Sequence, residues 1–222
     1  MRPVERMNLA LTDFQPPHLL QFRGSRLARR VLALFGWRVL FEGLPALQGV
    51  LVVYPHTSNW DFIVMVLAKW SVGVPVQFWG KARLFRIPVF GRWLRWLGGI
   101  PVERTAPAGV VGQMVEQFAQ RQAQGHYLWL GLAPEGTRKY IAGWRSGFYS
   151  TTVQARVPLG VVQLDYRRKQ VRVLDFLTLC GDPGTDMARI ASLYEGVQGL
   201  RHGAAAPIAL LDAAVPRSST VV

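Results

Sequence analysis

The sequence has very little cysteine and few acidic residues. Cys180 is the single cysteine among 222 residues, and 13 Asp and Glu stand against 26 Lys and Arg. One cysteine excludes an intramolecular disulfide and a cysteine-rich metal site, and it favours a reducing, cytoplasmic setting. Cys180 lies in an apolar run, so we expect it on a strand in the core. The four histidines are scattered, and no metal site is predicted.

Long uncharged hydrophobic stretches are also missing. The best candidate, residues 62–80, carries Lys69 and is interrupted by Gly73 and Pro75, whereas a membrane-spanning helix needs about 20 apolar residues. The N-terminal residues include acids and have no uninterrupted apolar segment of the kind found in signal peptides. We therefore expect the protein to remain on the cytoplasmic side and to meet a membrane only at its surface.

Several catalytic motifs are absent. The sequence contains no Gly-x-Ser-x-Gly, no Gly-x-x-x-x-Gly-Lys-Ser/Thr, no Gly-x-Gly-x-x-Gly after a strand and no His-Glu-x-x-His. These absences argue against serine hydrolases of the α/β type, P-loop enzymes, dinucleotide-binding domains and zinc peptidases. The net charge of +13 indicates an anionic partner instead: phospholipid head groups, a phosphorylated substrate, an acidic carrier protein or nucleic acid.

The first informative motif contains His56 and Asp61. It follows the apolar, β-branched residues 50–54 and leads into the apolar residues 60–70, which predicts a strand, a tight turn and a helix. Asp61 then lies in the first helical turn, where its carboxylate can hold one imidazole nitrogen of His56 while the other faces a substrate. The spacing alone is more often incidental, but in this context it predicts a general base with its orienting carboxylate.

A second motif, Pro-Glu-Gly-Thr-Arg at 134–138, follows another apolar strand predicted at 126–133. In α/β sheets, ligands bind at the carboxyl ends of strands. We therefore expect both motifs to lie at the same edge of one sheet.

Together the two motifs resemble the signature of the glycerolipid acyltransferases of the lysophosphatidate acyltransferase (PlsC-like) family. The resemblance covers roughly residues 45–165 and includes Lys81 and the segment 99–104, which ends at Arg104. The chain departs from the common pattern at Pro55, where many members have Asn, and at Ala133, where Phe is frequent. Both departures leave the reactive groups in place.

The resemblance implies transfer of a fatty acyl group from acyl-CoA or acyl-carrier protein to the free hydroxyl of a lysophospholipid, without a cofactor. The first acceptor to consider is 1-acylglycerol-3-phosphate, and the alternative is a lyso-ornithine lipid or another lysolipid. His56 would be the general base and Asp61 its orienting partner. Backbone N–H groups of the turn or the helix start could stabilise the oxyanion.

The predicted substrate-binding residues surround this pair. Arg138 would bind the acceptor phosphate through paired hydrogen bonds, and Lys81 and Arg104 would add charge. Glu135 would orient Arg138 or contact an acceptor hydroxyl. Gly136 would permit a tight loop, and the hydroxyl of Thr137 would donate a hydrogen bond.

The expected fold is α/β, with a mixed central β-sheet flanked by helices and an N-terminal amphipathic membrane-attachment helix. We divide the chain into a leader with an interface helix (1–45), an acyltransferase domain (46–202) and a flexible tail (203–222). The predicted elements outside the motifs are helices at 25–41, 105–124 and 186–198, a helix after residue 148 that ends at about 155, a strand at 76–80, and a hairpin of 157–166 with 171–179.

Two segments, 25–41 and 81–97, combine arginine with aromatic or aliphatic side chains. This composition is typical of a lipid head-group boundary and also of a groove for single-stranded nucleic acid, where bases stack on aromatic rings. It fits equally an ordinary basic helix whose apolar side chains pack on the domain. No nucleic-acid motif accompanies the charge. We therefore predict a peripheral or monotopic protein on the cytoplasmic face of an anionic membrane, without nucleic-acid binding.

Overall fold

The structure is a computed structural model that describes residues 19–102, 109–201 and 203–211, and for Lys81 and Val102 the backbone only. Seven strands form one sheet. The strands are β1 (Arg38–Leu40), β2 (Gln48–Tyr54), β3 (Val76–Lys81), β4 (Gly99–Val102), β5 (Leu128–Leu132), β6 (Leu159–Asp165) and β7 (Gln170–Leu177). The helices are α1 (Arg26–Leu34), α2 (Trp60–Val72), α3 (Ala82–Phe85), α4 (Phe90–Trp96), α5 (Gly109–Ala123), α6 (Gly147–Ala155) and α7 (Pro183–Leu193).

The strand order is β1-β7-β6-β2-β5-β3-β4. Every neighbouring pair is parallel except β6 and β7, which form the predicted antiparallel hairpin. The mixed sheet expected from the sequence is therefore confirmed. The central strand β2 lies between β5 and β6, with Val50 opposite Leu130 on one side and Leu159 on the other. Because both faces of β2 are covered, its apolar residues run almost without interruption.

Helices cover both faces of the sheet. On one face, Val50 and Val52 of β2 pack with apolar residues of α5, α6 and α7. On the other face, Leu51 packs with apolar residues of α1 and α2. Successive side chains of a strand point to opposite faces, so a single strand supplies both cores. This arrangement holds the carboxyl end of β2 rigidly between two helical layers.

The helix α2 begins directly after the His56 turn, as predicted. Its N-cap, Asn59, makes no side-chain capping bond, and the turn is instead held by the carboxylate of Asp61. Gly73 ends the helix in the left-handed conformation, with φ of 79°, and its N–H donates to the Lys69 carbonyl. A glycine fits this position because it carries no Cβ to clash at positive φ.

The N-terminal segment is more closely integrated than the division at residue 45 suggested. The helix predicted for 25–41 ends at Leu34, because Gly36 adopts a φ of 77° and the following residues form the edge strand β1 beside β7. Leu32 and Trp37 are buried in the same core as α2. Residues 26–45 thus share the sheet and core of the domain predicted to begin at 46.

The C-terminal segment also differs from the expectation of a flexible tail, as far as residue 211. Ala206 is buried, and the backbone of Trp144 exchanges hydrogen bonds with Ala209 and Leu211. The last helix begins earlier than predicted, because Asp182 caps it by accepting from the Thr185 N–H and a proline occupies its first turn. Residues 212–222 lie outside the described part.

The expectation for Cys180 was wrong. The strand β7 ends at Leu177, and Cys180 lies beyond it, exposed to solvent. The apolar run continues past the last residue that pairs with β6, so the strand is shorter than the sequence pattern predicted.

Candidate active site

The two motifs lie at the same edge of the sheet. The strand β2 ends at Tyr54, two residues before His56, and its parallel neighbour β5 ends at Leu132, two residues before the 134–138 loop. Parallel neighbours place their carboxyl ends together. The structure consequently brings the side chains of His56 and Asp61 into contact, and the Glu135 carboxylate accepts a hydrogen bond from the backbone N–H of His56.

His56 and Asp61 form the predicted pair. Nδ1 of His56 lies 3.2 Å from Oδ2 of Asp61; the histidine side chain is 19% exposed and the aspartate side chain is 1% exposed. The same Oδ2 accepts hydrogen bonds from the backbone N–H groups of Thr57 (2.7 Å) and Ser58 (2.8 Å). The other oxygen, Oδ1, accepts from the Tyr166 hydroxyl at 2.7 Å. The buried carboxylate therefore has four donors.

These donors decide the ionisation of Asp61. Burial by itself raises the pKa of this carboxyl group, but the hydrogen bonds from His56, Tyr166 and Ser58 favour the charged form and together hold the pKa below its ordinary value. Asp61 is accordingly an anion at neutral pH and accepts a hydrogen bond from Nδ1–H of His56. The second imidazole nitrogen, Nε2, then carries the lone pair that a general base requires.

Glu135 connects three parts of the chain. It is 1% exposed; Oε2 accepts from the backbone N–H of His56 at 2.5 Å, and Oε1 accepts from the backbone N–H of Ala206 at 2.9 Å. Arg138 is neither of these partners, although the sequence predicted that Glu135 would orient Arg138 or contact an acceptor hydroxyl. Burial raises the pKa of Glu135. Burial and the nearby Glu135 charge also raise the pKa of Tyr54 to about 12.

The rest of the 134–138 loop is shaped for close approach. Gly136 has a φ of 64°, and a Cβ at this position would lie 2.8 Å from Nε of Arg145, so the arginine side chain lies across the glycine. The Thr137 hydroxyl accepts from the Lys139 N–H at 3.3 Å, and Arg138 is exposed. Gly136 thus serves the tight loop predicted for it.

The structure describes the other two predicted cationic residues, Lys81 and Arg104, only in part or not at all. The backbone of Lys81 ends β3, which is parallel to β5, so this residue reaches the same sheet edge as the 134–138 loop. Its side chain and the whole of Arg104 lie outside the described residues. Their role in charge recognition stays a prediction.

Sequence reasoning missed two contributors to the site. Tyr166 follows β6, the other parallel neighbour of β2, and the rule used for the two motifs could have found it. The segment around residues 199–206 is the second. Its Ala206 bonds Glu135, and the backbone N–H of Arg201 donates to the Thr57 hydroxyl at 3.2 Å. No local pattern marks that segment, because its contribution is mainly through backbone groups.

Among the residues that the structure describes, no group of three or more His, Cys, Asp or Glu side chains could hold a metal ion. The described side chains are an imidazole, an ionised carboxylate in contact with it and exposed arginines. This combination suits proton abstraction from a hydroxyl beside an anionic group.

The fold is α/β, and the pair of His56 and Asp61 lies at the carboxyl edge of its sheet. A protein-family model described as Acyltransferase matches residues 38–163, more than half of the chain. The chain therefore belongs to the acyltransferase family. The match includes both motifs and the sheet from β1 through most of β6.

A solved structure, the 1-acyl-sn-glycerophosphate acyltransferase PlsC from Thermotoga maritima, is 17% identical; the alignment covers 78% of each chain with a TM-score of 0.44. No curated protein matches the sequence.

Proposed function

We propose that the protein transfers a fatty acyl group from acyl-CoA or acyl-carrier protein to the free hydroxyl of a lysophospholipid, with 1-acylglycerol-3-phosphate as preferred acceptor and phosphatidate as product. The observation that carries this proposal is the His56–Asp61 pair, in which one imidazole nitrogen is bound to a buried carboxylate and the other is left to act as a base. Membership of the acyltransferase family supports the reaction type.

In the proposed reaction, Nε2 of His56 takes the proton of the acceptor hydroxyl while its oxygen attacks the thioester carbonyl carbon. A new C–O bond forms, the C–S bond of the tetrahedral intermediate then breaks, and the proton passes from His56 to the departing thiolate. A thioester is already activated, so no covalent acyl-enzyme is required. Base catalysis of this kind typically contributes a factor of roughly 100 to 10,000.

Four N–H groups of the turn and the helix start, the region that the sequence suggested as the oxyanion hole, already have partners. The N–H groups of His56, Thr57 and Ser58 already donate to Glu135 and Asp61. The N–H of Trp60 donates to the Ser58 hydroxyl. In the proposed mechanism, exposed cations of the 134–138 loop and of the segment after it, Arg138, Lys139 and Arg145, also contribute to stabilising the charge of the oxyanion.

The proposed acceptor follows from charge. Arg138 is exposed on the loop that contacts the His56 backbone, Arg145 lies across Gly136, and Lys81 ends the neighbouring strand. A phosphate monoester satisfies several cations, and arginine binds it through two parallel hydrogen bonds. A lyso-ornithine lipid has no phosphate and would leave these cations without their partner.

We also propose that the protein binds the cytoplasmic face of an anionic membrane. The helix α4 exposes Phe90, Trp93 and Trp96 together with arginines, and α1 exposes Leu27 and Leu34. Aromatic and basic side chains together suit a head-group boundary, where each basic residue contributes about 1 kcal/mol. Within the described residues, no helix combines the length and the apolar character needed to cross a bilayer.

One experiment tests acceptor and membrane together. Purified protein is given labelled acyl-CoA or acyl-carrier protein and a panel of lysolipids in vesicles with or without anionic lipid, and the same vesicles are sedimented at low and high salt. We expect preference for 1-acylglycerol-3-phosphate, and salt should weaken sedimentation without abolishing it, because apolar insertion survives screening.

The matched variant is Arg138→Ala. It should raise KM for 1-acylglycerol-3-phosphate by roughly 10-fold or more, because a lost charge-assisted hydrogen bond is worth about 1.5–3 kcal/mol. Preference for a phosphate-free acceptor, unaffected by this change, would overturn the substrate assignment. Failure to sediment with anionic vesicles even at low salt would overturn the membrane proposal.

A further inference from the structure

Tyr166 reaches the catalytic pair from a part of the chain that neither motif includes. It follows β6, and its hydroxyl donates to Oδ1 of Asp61 at 2.7 Å, although the two residues are 105 positions apart in sequence. His56 uses the opposite oxygen, Oδ2. The two oxygens of one carboxylate are thus divided between the base and the tyrosine.

The tyrosine ring is itself fixed from two sides. Its backbone N–H donates to the carbonyl of Gln198 at 2.9 Å, which ties it to the C-terminal segment. Its ring meets the ring of Trp37 edge to face, with centroids 4.9 Å apart at 89°, which ties it to the N-terminal segment. A ring held in this way aims its hydroxyl in one direction.

We propose that Tyr166 is a positioning residue for proton transfer: by occupying Oδ1, it fixes the plane of the Asp61 carboxylate so that Oδ2 keeps hold of Nδ1–H of His56. The Nε2 lone pair then remains turned toward the acceptor hydroxyl. This inference rests on the proposed role of His56 as the general base. Tyr166 acts through Asp61 and is not assigned a contact with substrate.

The hydrogen bond also sets how strongly Asp61 attracts a proton on the imidazole. The titratable groups around His56 are Asp61 from α2, Glu135 from the loop after β5 and, behind Asp61, Tyr166. Tyr54 of β2 lies near Glu135. Removing the phenol hydroxyl removes one hydrogen bond to Asp61 and leaves the bonds of Glu135 in place. A carboxylate with one donor fewer is more basic, so a variant without the hydroxyl should differ from the parent in the pH dependence of acyl transfer.

Tyr166 keeps its proton throughout the useful pH range. Its burial and then its hydrogen bond to Asp61 raise the pKa of the phenol well above the ordinary value. The donor role is therefore constant wherever activity is measured, and any change in the pH profile of a variant reports on the carboxylate and imidazole.

The test compares Tyr166→Phe with Tyr149→Phe. Tyr149 also donates to a buried carboxylate, Oδ2 of Asp186 at 2.8 Å, but that bond belongs to α6 and α7. We expect Tyr166→Phe to lower kcat by roughly 10-fold, part of the base's own contribution, with KM for the acceptor unchanged. Its pH–rate profile should differ from that of the parent. Tyr149→Phe should lose comparable thermal stability while its pH profile stays in place.

A second readout does not depend on activity. Nitrogen-15 NMR of the His56 ring should show the tautomer protonated on Nδ1 in the parent protein and a mixture of tautomers in Tyr166→Phe. A folded Tyr166→Phe protein with the parent's tautomer, kcat and pH profile would overturn the proposal. If the parent transfers no acyl group to any lysolipid, the proposed function fails, and the tautomer comparison still decides whether Tyr166 positions Asp61 and His56.

Discussion

Two buried aspartates in this protein are constructed in nearly the same way. Asp61 accepts a tyrosine hydroxyl at 2.7 Å and two backbone N–H groups, and Asp186 accepts a tyrosine hydroxyl at 2.8 Å and the N–H groups of Cys180 and Gly181. The difference is one additional partner. Asp61 also faces His56, which is partly exposed at the carboxyl edge of the sheet.

The comparison shows that a buried, fully hydrogen-bonded carboxylate is not in itself a sign of catalysis. Around Asp186 the bonds fix the loop after β7 and the first turn of α7 against α6. Around Asp61 the same type of bonding fixes a turn and at the same time orients an imidazole. The proposed catalytic role therefore depends on the partly exposed His56, and the Asp61 carboxylate would supply its orientation.

The largest expected contrast comes from changing each aspartate to asparagine. Asp61→Asn cannot accept every donor that surrounds it, and kcat should fall by roughly 100-fold or more because the imidazole loses its orientation. Asp186→Asn should leave the activity of the folded protein unchanged and reduce its stability, since hydrogen bonds to charged groups are worth about 1.5–3 kcal/mol each. Steady-state kinetics measures kcat, and urea unfolding measures the stability of each variant. Equal losses of activity, matched to equal losses of stability, would contradict the comparison.

A smaller effect concerns the pH dependence of stability. The pKa of Asp61 lies below its ordinary value of 3.8. Its contribution to the free energy of unfolding is therefore present above that value and is lost as pH falls through the lower, folded-state pKa. The pKa of Glu135 lies above its ordinary value of 4.5, so its contribution is largest at low pH and declines as pH rises through the raised pKa.

Unfolding free energies measured from pH 3 upwards should show both trends, in line with this linkage. The stability difference between the parent and Asp61→Asn should narrow as the solution becomes more acidic. The difference between the parent and Glu135→Gln should narrow as pH rises. If the stability difference between the parent and each variant is the same at every pH, the ionisation of these carboxylates is not coupled to folding as their surroundings indicate.

Much of the site could be predicted because its signals are local. The change from β-branched residues before His56 to a continuous apolar run after it marks a strand, a turn and a helix, and the structure contains these elements. The same is true of the strand before the 134–138 loop and of the hairpin of β6 and β7. Parallel pairing of β2 and β5 then places the two motifs together.

The parts of the site that the sequence did not predict come from contacts between segments far apart in the chain. The bond from Ala206 to Glu135 joins residues 71 positions apart, and it uses a backbone N–H that any residue except proline provides. The composition of this segment, rich in alanine and proline, predicted a loose tail. Ala206 instead belongs to the same core cluster as Trp144 and Tyr54, and the Tyr54 hydroxyl donates to the Ala206 carbonyl.

The role of Glu135 shows the same limit. A carboxylate next to an arginine in sequence suggests an ion pair, because local spacing is all that the sequence offers. In the folded chain Glu135 is turned inward, and its oxygens satisfy the N–H groups of His56 and Ala206. Buried backbone donors need partners, and this requirement prevailed over the neighbouring charge.

The most direct test of the central claim is single-turnover acyl transfer by His56→Ala, beside His126→Ala as a matched control. His126 is exposed and lies before β5, away from the carboxyl edge of the sheet. We expect the His56→Ala rate to fall by roughly 100- to 10,000-fold while the protein remains folded and binds lysolipid, and His126→Ala to retain the parent rate. A folded His56→Ala protein with near-normal single-turnover transfer would contradict the assignment of His56 as the general base.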